Sequence, residues 1–116
     1  MYKLVILFKP QADWDEFEAT WPQFLHLVEK MPGLRREATS RIDKTLYGET
    51  QYAQIHELFF DSQKDAERAL GSPEGQAAGQ MLQRMTGGQI GLFFADHKED
   101  DLENIRRFRQ DSFESE

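Results

Sequence analysis

Three histidines, His26, His56 and His97, are the side chains of this 116-residue sequence best suited to moving protons near neutral pH. His56 has the most promising surroundings. Within residues 52–61 (YAQIHELFFD) it alternates with Leu58 and Phe60, so on a strand the three share one face. If that face lines a pocket, the imidazole could take a proton from a bound phenol or enol and return it. The alternative is a hydrogen-bonded, inert histidine buried at a subunit seam. Glu57 points the opposite way. Beneath a helix, burial would raise its carboxyl pKa and make it a candidate base; an ion pair with Arg35 or Arg36 is the other reading. Tyr2 and Tyr52 carry hydroxyls able to orient a substrate oxygen. Trp21, Phe24 and Leu58 would wall such a site, although Trp14, Trp21 and Phe24 also form the stripe of an ordinary core helix.

Other chemistries find less support. Asp96, His97, Glu99 and Asp100 could gather O and N ligands for a metal, but no HxxxH or HExxH spacing accompanies them. Gly87-Gly88 lacks the rest of a phosphate-binding motif and reads as a turn. No nucleophile elbow is present. Cysteine is absent, which removes disulfides, thiol nucleophiles and thiolate metal sites. No tightly held cofactor is expected.

The net charge of −7 argues against a nucleic-acid surface, which needs clustered Lys and Arg, and against anionic lipid. The longest apolar run, residues 4–8, is far short of the ~20 residues of a membrane span. Met1-Tyr2-Lys3 enters a strand pattern at once, so a signal peptide is not expected and a cytoplasmic location is.

The elements that must position these groups follow from periodicity and punctuation. Residues 3–9 (KLVILFK), stopped by Pro10, read as a first strand. Asp13 and Glu16 have capping-box spacing and open a helix whose Phe17, Trp21, Phe24, Leu25, Val28 and Met31 share a face, with Trp14 at its edge. Pro22 lies inside it, where its ring removes one backbone bond and should kink it. Met31-Pro32-Gly33 ends it. Residues 34–41 form a second strand, 41–51 a hairpin loop and 52–61 a third strand. Ser62 with Asp65 caps a short helix through Leu70. Ser72-Pro73 starts another, with Met81, Leu82 and Met85 at its apolar end. Residues 90–96 form the fourth strand.

The order β-α-β-β-α-β is the ferredoxin-like α+β arrangement, a four-stranded antiparallel sheet with helices on one face. Val5 and Leu7 oppose Leu4, Ile6 and Phe8 across the first strand, as Phe59 opposes Phe60 and Phe93 opposes Phe94. Strands apolar on both faces must be covered on both, and helices cover only one. A second copy packed sheet to sheet is the simplest cover, so a homodimer through the sheet face is expected. Residues 98–116 change character to a charged extension. Asp100 and Glu103 could cap a short helix there, Arg106, Arg107 and Arg109 follow, and Leu102, Ile105 and Phe108 give it a weakly apolar side. One further possibility is a partner-binding role for this extension.

Five segments, MYKLVILFKP, MPGLRR, ELFFDS, SPEGQAAG and the later Thr86-Gly87-Gly88, together resemble the EthD-like branch of the dimeric α+β barrels across residues 1–97. SPEGQAAG and MPGLRR in this order are the more specific of them. The resemblance implies a dimeric barrel with a pocket between sheet and helices that holds a small apolar organic molecule. It further implies cofactor-independent oxidative or isomerising chemistry on an oxygenated compound, or a non-catalytic binding or stress-related role. Members with known chemistry tend to carry a histidine eight residues before the Pro of the PGL turn. Here that position is Phe24, and His26, two residues on, lies about 200° round the helix and faces solvent.

Overall fold

The computed structural model describes residues 1–103. Its elements are β1 (Tyr2–Phe8), α1 (Trp14–Glu29), β2 (Arg36–Arg41), β3 (Gln54–Phe60), α2 (Gln63–Gly71), α3 (Pro73–Thr86) and β4 (Ile90–Asp96). The expectations for Arg106, Arg107, Arg109, Ile105 and Phe108 lie outside the described residues.

Local chemistry sets the helix ends. Asp13 Oδ1 accepts from the Glu16 N–H, and Ser62 Oγ accepts from the Asp65 N–H, so the expected caps form. Ser72 serves two helices at once: its Oγ accepts from the Gly75 N–H and donates to the Ala69 carbonyl. The second and third helices thus meet at a single side chain. Gly75 allows the meeting, because a Cβ there would lie 2.0 Å from the Ala69 carbonyl oxygen. The first helix runs on through Pro22 as one element.

The strands pair antiparallel in the order β2-β3-β1-β4, as the ferredoxin-like topology requires. Strands β2 and β3 are shorter than expected, beginning at Arg36 and Gln54, and residues 42–53 connect them. Leu4, Ile6, Phe8, Leu58 and Phe60 face the helices and bury against Phe17, Phe24 and Val28 of α1, Ala66 and Ala69 of α2, and Ala78, Met81 and Leu82 of α3. The aromatic stripe of α1 is core: Phe17 stacks on Trp21 at 5.4 Å, and both meet the Phe8 ring edge-on.

The opposite face is uneven. Phe93 is 46% exposed and Leu7 and Ile55 are partly so, whereas Val5 and Phe59 are buried within the chain. The Arg36 guanidinium lies 3.8 Å from the Phe59 ring centre and covers it. Nor do the helices cover their own face completely, since Leu92 on the edge strand β4 is 51% exposed.

Candidate functional site

The pairing of β2 with β3 decides the surroundings of His56. Register places Thr39 directly opposite it, and Glu37 lies one pleat along on the same face. The His56 Nδ1 is 2.8 Å from Thr39 Oγ1, and its Nε2 is 3.0 Å from Glu37 Oε2. Trp21 meets the imidazole edge-on at 5.1 Å, and Phe24 lies 6.3 Å away. The ring itself has no exposed surface, while Glu37 is partly open and Thr39 exposed.

Burial pushes the His56 pKa below its ordinary value of 6.5; the Glu37 hydrogen bond and charge pull upward without prevailing. The imidazole is therefore neutral at physiological pH, with one donor and one acceptor nitrogen. A carboxylate only accepts, so Nε2–H donates to Glu37. Nδ1 is left to accept from the Thr39 hydroxyl. This fixes the tautomer and leaves a basic nitrogen behind an exposed O–H group.

One hollow borders Thr39, and a second lies further along the helix-covered face. A groove of about 390 Å³ between α1 and the edge strand β2 is bounded by Trp21, Pro22, Thr39, Arg41 and Gln54. Arg41 Nη2 donates to Glu18 Oε1 at 3.1 Å and to the buried Gln54 Oε1 at 3.4 Å, placing a guanidinium on the groove rim. The second hollow is an apolar crevice of about 50 Å³ between sheet and helices, bounded by Phe24, Leu58, Gly75, Gly79 and Leu92. Small-molecule sites span roughly 300–1,000 Å³. The groove reaches that range; the crevice holds little more than one water's share of liquid volume, ~30 Å³.

Of the residues singled out from sequence, Trp21, Phe24 and Leu58 gather beside His56 on the helix-covered face. Tyr2 shares that face but sits at the far end of β1, tilted against Phe94 at 5.4 Å. Tyr52 lies over Gly91 and Leu7 on the other face, where a Cβ on Gly91 would be 3.3 Å from its hydroxyl. Glu57 is on that other face too, not beneath a helix, and accepts from Lys3 Nζ. The anticipated partners are engaged elsewhere: Arg35 binds Asp61 at 2.6 Å and Arg36 binds Glu99 at 2.6 Å. His26 is exposed, as its helical angle required. His97 Nε2 lies 2.6 Å from Glu99 Oε1, and this bond together with Arg36 holds the Glu99 carboxyl below the usual carboxylate range. Among the described residues no cluster of three or more His, Cys, Asp or Glu is arranged to hold a metal, and no helix is long and apolar enough to cross a membrane.

Sequence reasoning missed Glu37, Thr39, Arg41 and Gln54. The alternation in REATSR was visible and puts Glu37, Thr39 and Arg41 on one side. Their opposition to His56 was not, because it depends on the register across residues 42–53.

No family model matches the chain. An uncharacterized 11.0 kDa protein of the thcB-thcC intergenic region of Rhodococcus erythropolis is 26% identical over 99 residues, covering 84% of this chain and 96% of its own. Among solved structures, an ethyl tert-butyl ether D (EthD) family protein of Bacillus halodurans C-125 is 26% identical with a TM-score of 0.78, covering 84% of this chain and 99% of its own. A dimeric ferredoxin-like protein of unknown function from Jannaschia sp. CCS1 has TM-score 0.64 at 15% identity, covering 83% of this chain and 98% of its own. SnoaB, a cofactor-independent oxygenase from Streptomyces nogalater, has TM-score 0.63 at 14% identity, covering 85% and 94%. These last two share the fold.

Proposed function

Because the chain is EthD-like in sequence and in fold, we propose that it binds an apolar, oxygenated organic molecule and moves a proton on it without a resident cofactor. The observation that carries this reading is a neutral His56, fixed in one tautomer by Glu37 and Thr39 and buried directly behind Thr39, which borders a groove large enough for a small ligand. Trp21 supplies an apolar wall to the groove, and Phe24 packs with it around the imidazole, which keeps water from the His56 ring itself. Proton removal followed by return at another position is an isomerisation and needs no co-reactant. Proton removal that leaves a carbanion or phenolate open to dioxygen is a cofactor-independent oxidation. Both are within reach of the same base.

The assembly belonging to this reading is a homodimer through the open sheet face, where the half-exposed Phe93 has no helix to cover it. In such a dimer Glu57 and Tyr52 belong to the seam, at a distance from His56. Tyr2 borders the open end of β1. A cytoplasmic location remains part of the same reading.

A second reading has its own support. Phe24 fills the interior beside His56, and the crevice between sheet and helices is only about 50 Å³. A non-catalytic binding or stress-related barrel would look like this. Screening phenols, enols and lactones by quenching of tryptophan fluorescence separates the two. Saturable quenching that disappears in Trp21→Leu supports a ligand site in the groove. Failure of every compound, with no bound molecule found in crystals soaked with the same compounds, would sink the catalytic reading.

A further inference from the structure

We infer that Thr39, not His56, is the group that touches the ligand: its hydroxyl is the outer end of a proton relay Thr39–His56–Glu37, and the groove between α1 and β2 takes a phenol or enol. The inference rests on the catalytic reading above and says where in the site its proton passes. Thr39 Oγ1 lies 2.8 Å from His56 Nδ1 and borders the groove, whereas the imidazole has no exposed surface to offer any ligand. His56 can act outward only through a neighbour. Of its two hydrogen-bonding partners, Glu37 is an acceptor on the donor nitrogen, so only Thr39 stands on the basic side.

The step balances without a co-reactant. The ligand O–H bond breaks and its proton passes to Thr39 Oγ1. The threonine's own hydroxyl proton passes to His56 Nδ1, giving an imidazolium whose Nε2–H still donates to the Glu37 carboxylate. The ligand is left as an oxyanion, and reversal returns the proton to oxygen or, in the tautomer, to carbon. Relay through a hydroxyl needs no free base at the surface, and the Glu37 carboxylate together with the new ligand oxyanion offsets the burial penalty on the imidazolium.

The same groove names the ligand class. Trp21 and Pro22 form an apolar side suited to a planar ring, and the Arg41 guanidinium on the rim faces the oxyanion that results. Groups facing the imidazole are few. From β2 come Glu37 and Thr39, with Arg41 further along; from α1, Trp21 and Phe24, with Glu18 at the rim; from β1, Ile6 pairs beside it. Gln54 precedes it on its own strand, and Glu57, on the opposite face, adds a smaller negative influence.

The probe is 4-nitrophenol, whose phenolate absorbs visibly and whose binding quenches tryptophan fluorescence. Wild type should bind it, show an increased phenolate fraction at a pH just below the probe's own pKa, and develop an imidazolium signal at His56 in nitrogen-15 NMR. Thr39→Val, close in volume and measured at saturating probe, should lose at least tenfold of the bound phenolate-to-phenol ratio and leave His56 neutral. Thr39→Ser should restore both signals. Glu37→Gln should keep binding but reduce ionisation. Equal ionisation in wild type and Thr39→Val would overturn the relay while leaving the ligand site standing. Binding by wild type without ionisation would do the same. No binding by wild type at millimolar probe would remove the groove as a phenol site, and the reading beneath it.

Discussion

Replacing His56 by Leu should convert an acid-sensitive protein into one that tolerates mild acid better. Folded His56 has a pKa below 6.5 because burial penalises its charged form, whereas the unfolded chain titrates near 6.5. Between those two values the unfolded state holds the extra proton, so wild-type stability falls as pH drops through 6.5 toward the folded pKa. It stops falling once the folded pKa is reached. One proton sets the steepest slope at about 1.4 kcal/mol per pH unit, so the loss by pH 5.5 is up to about 1.4 kcal/mol. Against this, Leu forfeits two hydrogen bonds, net roughly 1 kcal/mol in total because Glu37 and the exposed Thr39 can turn to water. At pH 7.5 wild type is therefore the more stable by about that amount, and near pH 5.5 the order closes or inverts. The carboxylates held low, Asp61 by Arg35 and Glu99 by His97 and Arg36, lose their contributions only below their ordinary values of 3.8 and 4.5, outside this window. Urea unfolding followed by tryptophan fluorescence at pH 7.5, 6.5 and 5.5, at one protein concentration, measures both variants. A gap of constant size across the three pH values would refute the argument, because it would mean that His56 takes up its proton equally in the folded and unfolded states.

Two glycines of the SPEGQAAG segment should behave oppositely. Gly75→Ala forces a methyl to 2.0 Å from the Ala69 carbonyl and should cost about 3 kcal/mol or prevent folding, whereas Gly79→Ala meets nothing within 4 Å and should gain roughly 0.5–1 kcal/mol of helix stability. Thermal melts compare them directly, and equal melting temperatures would contradict the packing described. Ser72→Ala removes a hydroxyl used by both α2 and α3, so its cost should exceed the ~1 kcal/mol of an ordinary N-cap; a loss below 0.5 kcal/mol in urea titration would count against that double role. Phe93→Asp places a charge on the open sheet face and, for the proposed homodimer, should shift sedimentation from dimer to monomer with the far-ultraviolet spectrum unchanged. An unaltered dimer would move the interface elsewhere.

Much of the fold is local and was therefore legible. Asp13, Ser62 and Ser72 announce three helix starts because capping needs only a side-chain oxygen and an N–H two or three residues on. The buried face of α1 is an arithmetic consequence of 3.6 residues per turn, and Phe17, Phe24 and Val28 all fall where that places them. The two-faced patterning of β1 and β3 was also readable, but the cover on the outer side of β3 was not. Arg36 over Phe59 is a contact between a polar strand and an apolar one, and hydropathy gives no hint of it. The same non-locality hid the partner of Glu57: Lys3 reaches it diagonally across the β1–β3 pair, a contact fixed by register, while Arg35 and Arg36 were nearer to hand by simple proximity to the PGL turn.

Register also explains why the candidate site was half seen. A strand with one apolar face is held in place by that pattern, since a slip of one residue would turn every side chain over. β2 has no such pattern: REATSR contributes Ala38 as its only apolar side chain. Its alignment with β3 must come from polar contacts, and those available are the groups of the site itself. Glu37 and Thr39 bind the two nitrogens of His56, Arg41 reaches Gln54, and Arg36 covers Phe59, while the Arg35 and Ile42 N–H groups close the two ends on the Phe59 and Ala53 carbonyls. Slipping by one residue would aim Ala38 and Ser40 at a buried imidazole and leave both of its nitrogens short of their present partners, at roughly 1–3 kcal/mol for each buried group left unsatisfied. The contacts that would activate Thr39 are thus among those that align the edge strand. A residue pattern can say that His56 lies on an apolar face, but what sits opposite it is decided only when the whole pair closes.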